Sequence, residues 1–358
     1  MLALFGVATS SLLVLVLFAA FRNPAAALTA YATQPGLDVW VTPAGTDNFV
    51  RTSGFLPAGL VADVRAIDGV AATDPLVRIF VRAVPLDPGP REDRGVMLLA
   101  VGYRVPDGLG GPPSFLAGRA PRGNGEVAVD RAAAFRLDVA LGDTLLVNGV
   151  EVRVVGLTQG TNLLITQLLF FDVAVAESTS GLMDQVSFVA VSSQTADSQS
   201  LVRRIKDEFP GVNVIATGAF VSNSVRESAS GFEPVLALIA VLGLLAAAVL
   251  IALLLQGLVE DRRAEIAVLA AMGMSANRIG VDIVLNASML VGAGVVIGGS
   301  SSLGLQAALD RVLPTVQLTF MPADVAITLG AFFLAGVVGA LLPVLRLSAI
   351  DPIEAFQS

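Results

Sequence analysis

The sequence predicts a membrane protein with four transmembrane α-helices in a 1+3 arrangement. A large extracytoplasmic mixed α/β domain is inserted between the first helix and the second. Two observations carry most of this. Of 358 residues, 54% are hydrophobic and only 15% are charged, and the mean hydropathy is +0.77. Four apolar runs are each long enough to cross about 30 Å of hydrocarbon, which takes roughly 20 residues of helix.

Those runs divide the chain. Residues 1–21 form the first span, 22–233 the extracytoplasmic domain, 234–259 the second span and 260–280 a cytoplasmic segment. Residues 281–302 form the third span, 303–324 an outer loop, 325–345 the fourth span and 346–358 a cytoplasmic tail. The first, second and fourth runs contain no charged residue, and the third has Asp282 at its start. Met1–Phe21 lacks the basic leader of a signal peptide and is longer than its usual core of about 7–15 apolar residues. It is therefore read as an anchor.

Orientation follows from the arginines, since basic residues near span ends stay in the cytoplasm. Arg262, Arg263 and Arg278 follow the second span and Arg346 follows the fourth. Arg22 and Arg311 fall on the outer side, so the bias is modest. The expected address is the plasma (inner) membrane, with the large domain outside.

Within the insert, short β-rich runs alternate with helical patterns. Leu37–Val41 reads as a strand, Pro57–Ile67 as a helix and Ala71–Val84 as extended sequence. A β-rich sublobe over about residues 91–184 contains Val96–Val101, Glu126–Val129, Asp143–Val147 and Val152–Leu157. Asn148–Gly149 between two apolar runs is a hairpin signal. Ser187–Val191 and Val212–Ile215 read as strands, Ala196–Phe209 as a helix, and Ser222–Ser230 as a helix leading to the second span.

Composition excludes several chemistries. There is no Cys and no His. That removes Ser-His-Asp and Cys-based nucleophiles and any zinc site ligated by those residues. Lys206 is the only lysine and lies beside Asp207 and Glu208, as on a solvated helix face. The chain has no GxxxxGK[ST] phosphate loop. No catalytic, cofactor or metal residue is expected, and the chain is not read as an enzyme. A net charge of −8 argues against nucleic acid as a partner.

The segment Glu260–Ser275, EDRRAEIAVLAAMGMS, stands between two apolar runs. Its acids, Glu260 and Asp261, suit the first turn of a helix. Ile266, Val268, Leu269 and Met272 supply an apolar stripe beside Glu265. Gly273 is placed to end the helix and Ser275 to cap the next. On physics alone this is an interfacial helix linking two spans. In the third span, Gly294-x-x-x-Gly298 is a small-residue packing motif. The middle of every span lacks ionisable groups, unlike most ion and solute carriers.

The charged turn resembles the "E-R-R-x-E-I-x-x-L-x-A-x-G" motif of FtsX-like/MacB-like ABC transporter permease subunits. Arg262, Arg263, Glu265, Ile266, Leu269, Ala271 and Gly273 match it, and Asp261 stands for the leading acid. In the insert, Gly118, Pro121, Glu126, Val127, Asp130, Gly142, Asp143, Leu145, Val154, Val155 and Gly156 resemble a recurring phrase of the MacB-type periplasmic domain. Pro343, Arg346, Pro352 and Ala355 are similar to the family's ending.

The resemblance implies a MacB periplasmic core-like domain and a helix that couples to a cytosolic ABC ATPase. Its residues would be Glu260, Asp261, Arg262, Arg263, Glu265, Ile266, Leu269, Met272 and Gly273. ATP would be bound by that partner, with no cofactor on this chain. A second permease copy would complete a homodimer or heterodimer, with an extracytoplasmic adaptor or enzyme as a further partner. ATP-driven motion would be transmitted to the extracytoplasmic domain for export or extraction of a substrate. The alternative is an FtsX-like signalling subunit that controls an extracellular cell-wall hydrolase. The family's basic segment ahead of the first span is missing here, so one expectation is a start upstream of Met1.

Overall fold

The computed structural model describes residues 2–51, 54–86, 95–163, 166–230, 233–261, 265, 268, 272, 274–312, 318 and 320–347. The chain divides into two compact units. One holds residues 1–20, 232–309 and 318–358, and the other holds 21–231 with 310–317. Helix α1, Leu2–Ala32, contributes to both.

The α/β unit is built on β1 (Val39–Pro43), whose five residues are all buried. Side chains alternate across a strand. Val39 and Val41 therefore face one apolar cluster, and Trp40 faces another. The first cluster receives α2 (Leu60–Arg65) through Leu60 and Val64, and α5 (Ser198–Glu208) through Leu201 and Ile205. The second receives Leu28 and Tyr31 of α1 and Phe220 of α6 (Thr217–Ser230). A strand covered on both faces reads as an unbroken apolar run, as Val39–Val41 does.

Four strands form the sheet around it, in the order β12 (Val212–Ala216), β1, β11 (Phe188–Ser193) and β3 (Val70–Pro85), all antiparallel. With α2 between β1 and β3, and α5 between β11 and β12, this is the split β-α-β pattern.

The strand β3 then leaves that sheet. Val70–Leu76 pairs with β11, whereas Val77–Ala83 pairs with β4 (Val96–Tyr103) and Ala83–Pro85 with β7 (Thr144–Val147). From β4 the pairing continues through β9 (Leu168–Asp172), β6 (Glu126–Asp130) and β8 (Val150–Thr158) back to β7. These six strands close on themselves, which leaves no free edge within the ring. The interior is filled by Val81, Leu98, Val129, Leu145, Val154 and Phe171. The strand β5 (Phe115–Gly118) adds to β8 outside the ring, and β2 (Leu56–Pro57) pairs β10 (Gln185–Val186) separately.

Local chemistry sets the corners. Asn148 and Gly149 have φ of 47° and 88°, the two left-handed residues that a two-residue hairpin requires. Asp130 caps α3 (Arg131–Leu137) by accepting from the Ala132 amide at 2.8 Å. Its second oxygen accepts from the Thr161 hydroxyl at 2.6 Å, and burial pushes this carboxyl above its ordinary pKa. Asp172 caps α4 (Val173–Ser180) in the same way. Where β5 gives way to β6, Arg119 grips Glu126 with two hydrogen bonds of 2.7 Å. Those bonds hold the Glu126 carboxyl down to about 2, helped by the Arg122 amide.

The second unit is helical: residues 2–20 of α1, then α7 (Glu233–Asp261), α8 (Ala276–Val312) as far as Leu309, and α9 (Pro322–Leu347). Among the described residues, three stretches are long and apolar enough to cross a membrane: Leu4–Ala32, Gly280–Leu309 and Pro322–Gly339. On α7, 29 residues long, the apolar stretch found among the described residues is shorter, Ala237–Leu253. Each helix outlasts its expected span. The longest extension at a single end is that of α1, expected to end at Phe21. The stretch Asn23–Ala32 is rich in alanine, the best helix former, and continues the turn despite Pro24. Pro24 has no amide hydrogen to give the Ala20 carbonyl, and the two units divide at that point.

Candidate functional site: the helix bundle and its charged turn

The helical unit has a narrow core. Val7 and Val14 of α1 meet Ala247 and Ile251 of α7, Ala287, Val291 and Val295 of α8, and Phe332 of α9. Most large apolar side chains face outward instead. On α7, Leu238, Leu242, Leu245, Val249 and Leu253 are exposed. Each side chain of this kind costs about 1.5–3 kcal/mol if left in water rather than buried. A helix apolar on every side needs a bilayer or a second protein around it.

Small residues let these backbones approach. A Cβ added at Gly294 would come to 3.0 Å from Val7 Cβ and 3.2 Å from the Leu4 carbonyl oxygen. One added at Gly298 would meet the Ala8 carbonyl oxygen at 2.8 Å and overlap Ser11 Oγ. On α9, Gly339 is set equally close against the Ala248 carbonyl of α7, at 2.5 Å for an added Cβ. The Gly294-x-x-x-Gly298 motif thus lies along α1. Lipid tails offer helices no hydrophobic drive to associate, so close backbone packing of this kind must hold them together.

Among the described residues, two buried serines of the unit bond within their own helices. Ser11 Oγ donates to the Ala8 carbonyl at 3.1 Å, and Ser302 Oγ to that of Gly299 at 2.7 Å. The sequence has no charged residue between Asp282 and Asp310, nor between Asp324 and Arg346. Asp282 and Asn286 are both exposed, and Asn286 Nδ2 donates to the Asp282 carbonyl at 3.0 Å. Among the described residues, no group of His, Cys, Asp and Glu could hold a metal ion.

The charged turn lies between α7 and α8. The former helix runs through Glu260 to Asp261, past the end of the apolar run. Glu265 and Val268 are helical and exposed, and the Met272 amide donates to the Val268 carbonyl at 3.0 Å, one further turn. Residues 265, 268 and 272 are spaced by three and four, so they share a face. Val268 is 51% exposed and Met272 72%, which leaves an apolar pair beside an acid with nothing among the described residues over it. The next helix starts at Ala276, directly after Ser275, and the Arg278 amide donates to the Ser275 carbonyl at 2.9 Å. Arg262, Arg263, Ile266, Leu269, Ala271 and Gly273 lie outside the described residues, and so do the side chains of Glu260 and Asp261.

One comparison with known proteins covers the same segment. Residues 237–352, which take in the charged turn and most of α7, α8 and α9, match the family model described as FtsX-like permease C-terminal. The resemblance to FtsX-like permeases carried by the charged turn is thereby borne out over about a third of the chain, the stretch similar to the FtsX-like permease C-terminal domain. No curated protein matches the chain. Among solved structures, the α/β unit is similar to the extracellular domain of the noncanonic ABC-type transporter YknZ from Gram-positive bacteria. Identity is 13% with a TM-score of 0.36, over 50% of this chain and 98% of that one. It is also similar to the periplasmic region of MacB from Actinobacillus actinomycetemcomitans, at 12% identity and TM-score 0.40, over 54% and 94% of the two chains.

Proposed function

We propose that this chain is the membrane subunit of an ABC-type system. It converts ATP-driven motion of a separate cytosolic ATPase into motion of its extracytoplasmic α/β domain. The observation that carries this reading is the turn at Glu260–Gly273. It follows a long apolar helix, opens on acids and arginines, and presents Val268 and Met272 uncovered. The match to an FtsX-like permease domain over the same residues supports it. So does the lack of a phosphate loop in the sequence, which leaves ATP to a partner.

In this reading the four apolar helices all span the inner membrane. Arg262, Arg263, Arg278 and Arg346 keep the turn and both termini inside, and the α/β unit faces outward. The spans carry force, because nothing ionisable stands in their middle to bind a solute. A second permease copy packs beside the first, covering part of the outward apolar surface. The work done outside is export or extraction of a substrate. The alternative output is control of an extracellular cell-wall hydrolase, which uses the same coupling.

Affinity purification of the full chain from its native membranes tests the reading. An ATP-hydrolysing ABC subunit should co-purify, and recovery of the chain alone from gentle solubilisation would contradict it. Release of a cell-wall hydrolase activity in proportion to ATP turnover would select the alternative output.

A further inference from the structure

The loop after β1 is tethered along α6 at three points. The Phe49 amide donates to Ser224 Oγ at 2.9 Å, Asn223 Nδ2 donates to the Asp47 carbonyl at 3.2 Å, and Arg51 Nε pairs with Glu227 at 2.6 Å. Loop and helix advance together, 47, 49 and 51 meeting 223, 224 and 227 over about one helical turn. Ser224 is buried and its hydroxyl also donates to the Phe220 carbonyl at 2.7 Å, so it is bonded on both sides.

The same loop touches α1. The Phe49 ring lies 4.9 Å from that of Tyr31, Tyr31 lies 6.3 Å from Trp40, and Trp40 stacks on Phe220 at 4.3 Å. Aromatic contacts of this kind are each worth about 0.5–1.5 kcal/mol beyond the area they bury. Phe49 is thus the one loop residue that packs on α1 through its ring and bonds to α6 through its backbone. Both helices adjoin apolar helices in the chain. The helix α1 is continuous from Leu2 to Ala32, and α6 ends at Ser230 just before α7 begins at Glu233.

We propose that residues 44–51 form a strap that locks the end of α1 to α6, so that displacement of either helix reaches the sheet at Trp40. Phe49 and Ser224 are its positioning residues. Without the strap each helix keeps its own packing on the sheet but can slide against the other, and motion is absorbed there. This inference rests on the force-transmission reading above.

The chain has one tryptophan and no cysteine, so Trp40 emission reports on this face without labelling. The full chain is reconstituted in lipid nanodiscs, and the bundle is perturbed by Gly298→Leu, remote in sequence from Trp40. With the strap intact, this change should shift Trp40 emission. In the background Ser224→Ala with Arg51→Gln, the same change should produce at most half that shift, while near-UV circular dichroism stays at the wild-type level. Arg51→Gln alone keeps the buried Ser224 bond and should retain most of the response. If the double background does not fold, Phe49→Leu replaces it, since it removes the ring contact and keeps an apolar side chain. Equal shifts with and without the strap would overturn the strap and leave force transmission standing. No shift in any background would overturn both.

Discussion

Gly298 of α8 lies against the Ala8 carbonyl of α1, where an added Cβ would approach to 2.8 Å. That approach requires glycine for its lack of a side chain. By contrast, a Cβ at Gly304, two turns further along α8, meets nothing within 4 Å. Gly298→Leu should therefore force the helices apart at a cost of about 1–3 kcal/mol, the range for overpacked cores. The reading is the thermal midpoint of the detergent-solubilised chain, followed by Trp40 emission and helical circular dichroism. A fall for Gly298→Leu beside little change for Gly304→Leu is expected, and equal effects at the two sites would remove the packing role.

The two polar side chains at the start of α8 should matter less. Asp282 and Asn286 are exposed, within about three turns of the helix start at roughly 1.5 Å per residue. Asp282→Asn and Asn286→Ala are expected to leave ATP-coupled activity within a factor of about two, since a change under about 0.5 kcal/mol is typical of surface sites. A tenfold loss from either, with tolerance of Gly298→Leu, would point to a polar translocation route.

Acid should loosen the joint between β5 and β6. The Glu126 carboxyl is held at about 2 by Arg119, below the ordinary value of 4.5. A depressed folded-state pKa stabilises the fold above the unfolded value, and that contribution is lost as pH falls through the folded one. Stability owed to this pair is therefore complete above about pH 4.5 and disappears toward pH 2. Glu126→Gln should flatten this part of the urea-midpoint profile against pH. An unchanged profile would show that the pair contributes nothing, as exposed ion pairs often do.

Side-specific labelling checks the orientation. Met183 is 80% exposed in the α/β unit, and Ser275 is exposed at the start of α8. With no native cysteine to interfere, Met183→Cys should react with an impermeant maleimide added outside cells. Ser275→Cys should react only after the membrane is opened. The reverse pattern would invert the topology.

Much of this architecture was legible in the residues. Short β-rich runs bounded by turn residues located β1, β3, β4 and β6, and Asn148–Gly149 marked the β7–β8 hairpin. Strand β9 was missed because Leu168–Phe171 is buried on both faces and shows no alternation. Closure of the ring was also hidden, since it depends on β7 pairing with both β3 and β8, which no local pattern encodes. Helices α3 and α4 are too short for a clear period, and their caps, Asp130 and Asp172, become evident only from the bonds they accept. Thr161 stands in a polar loop yet is fully buried against Asp130. In the candidate site, the packing glycines and the charged turn were visible as motifs. Which helix the glycines meet was not, because partner choice is a tertiary property.

The most direct measurement of the central claim is capture of the cytosolic ATPase by the charged turn. The full chain carrying Arg262→Glu and Arg263→Glu is expressed beside the wild-type protein, and membrane insertion is verified by the labelling described above. The reversed turn is expected to insert normally but to recover less than about a tenth of the co-purifying ATPase. A tenfold loss corresponds to about 1.4 kcal/mol, well within what two contact charges can supply. Undiminished recovery of the ATPase on the reversed turn would contradict the coupling role.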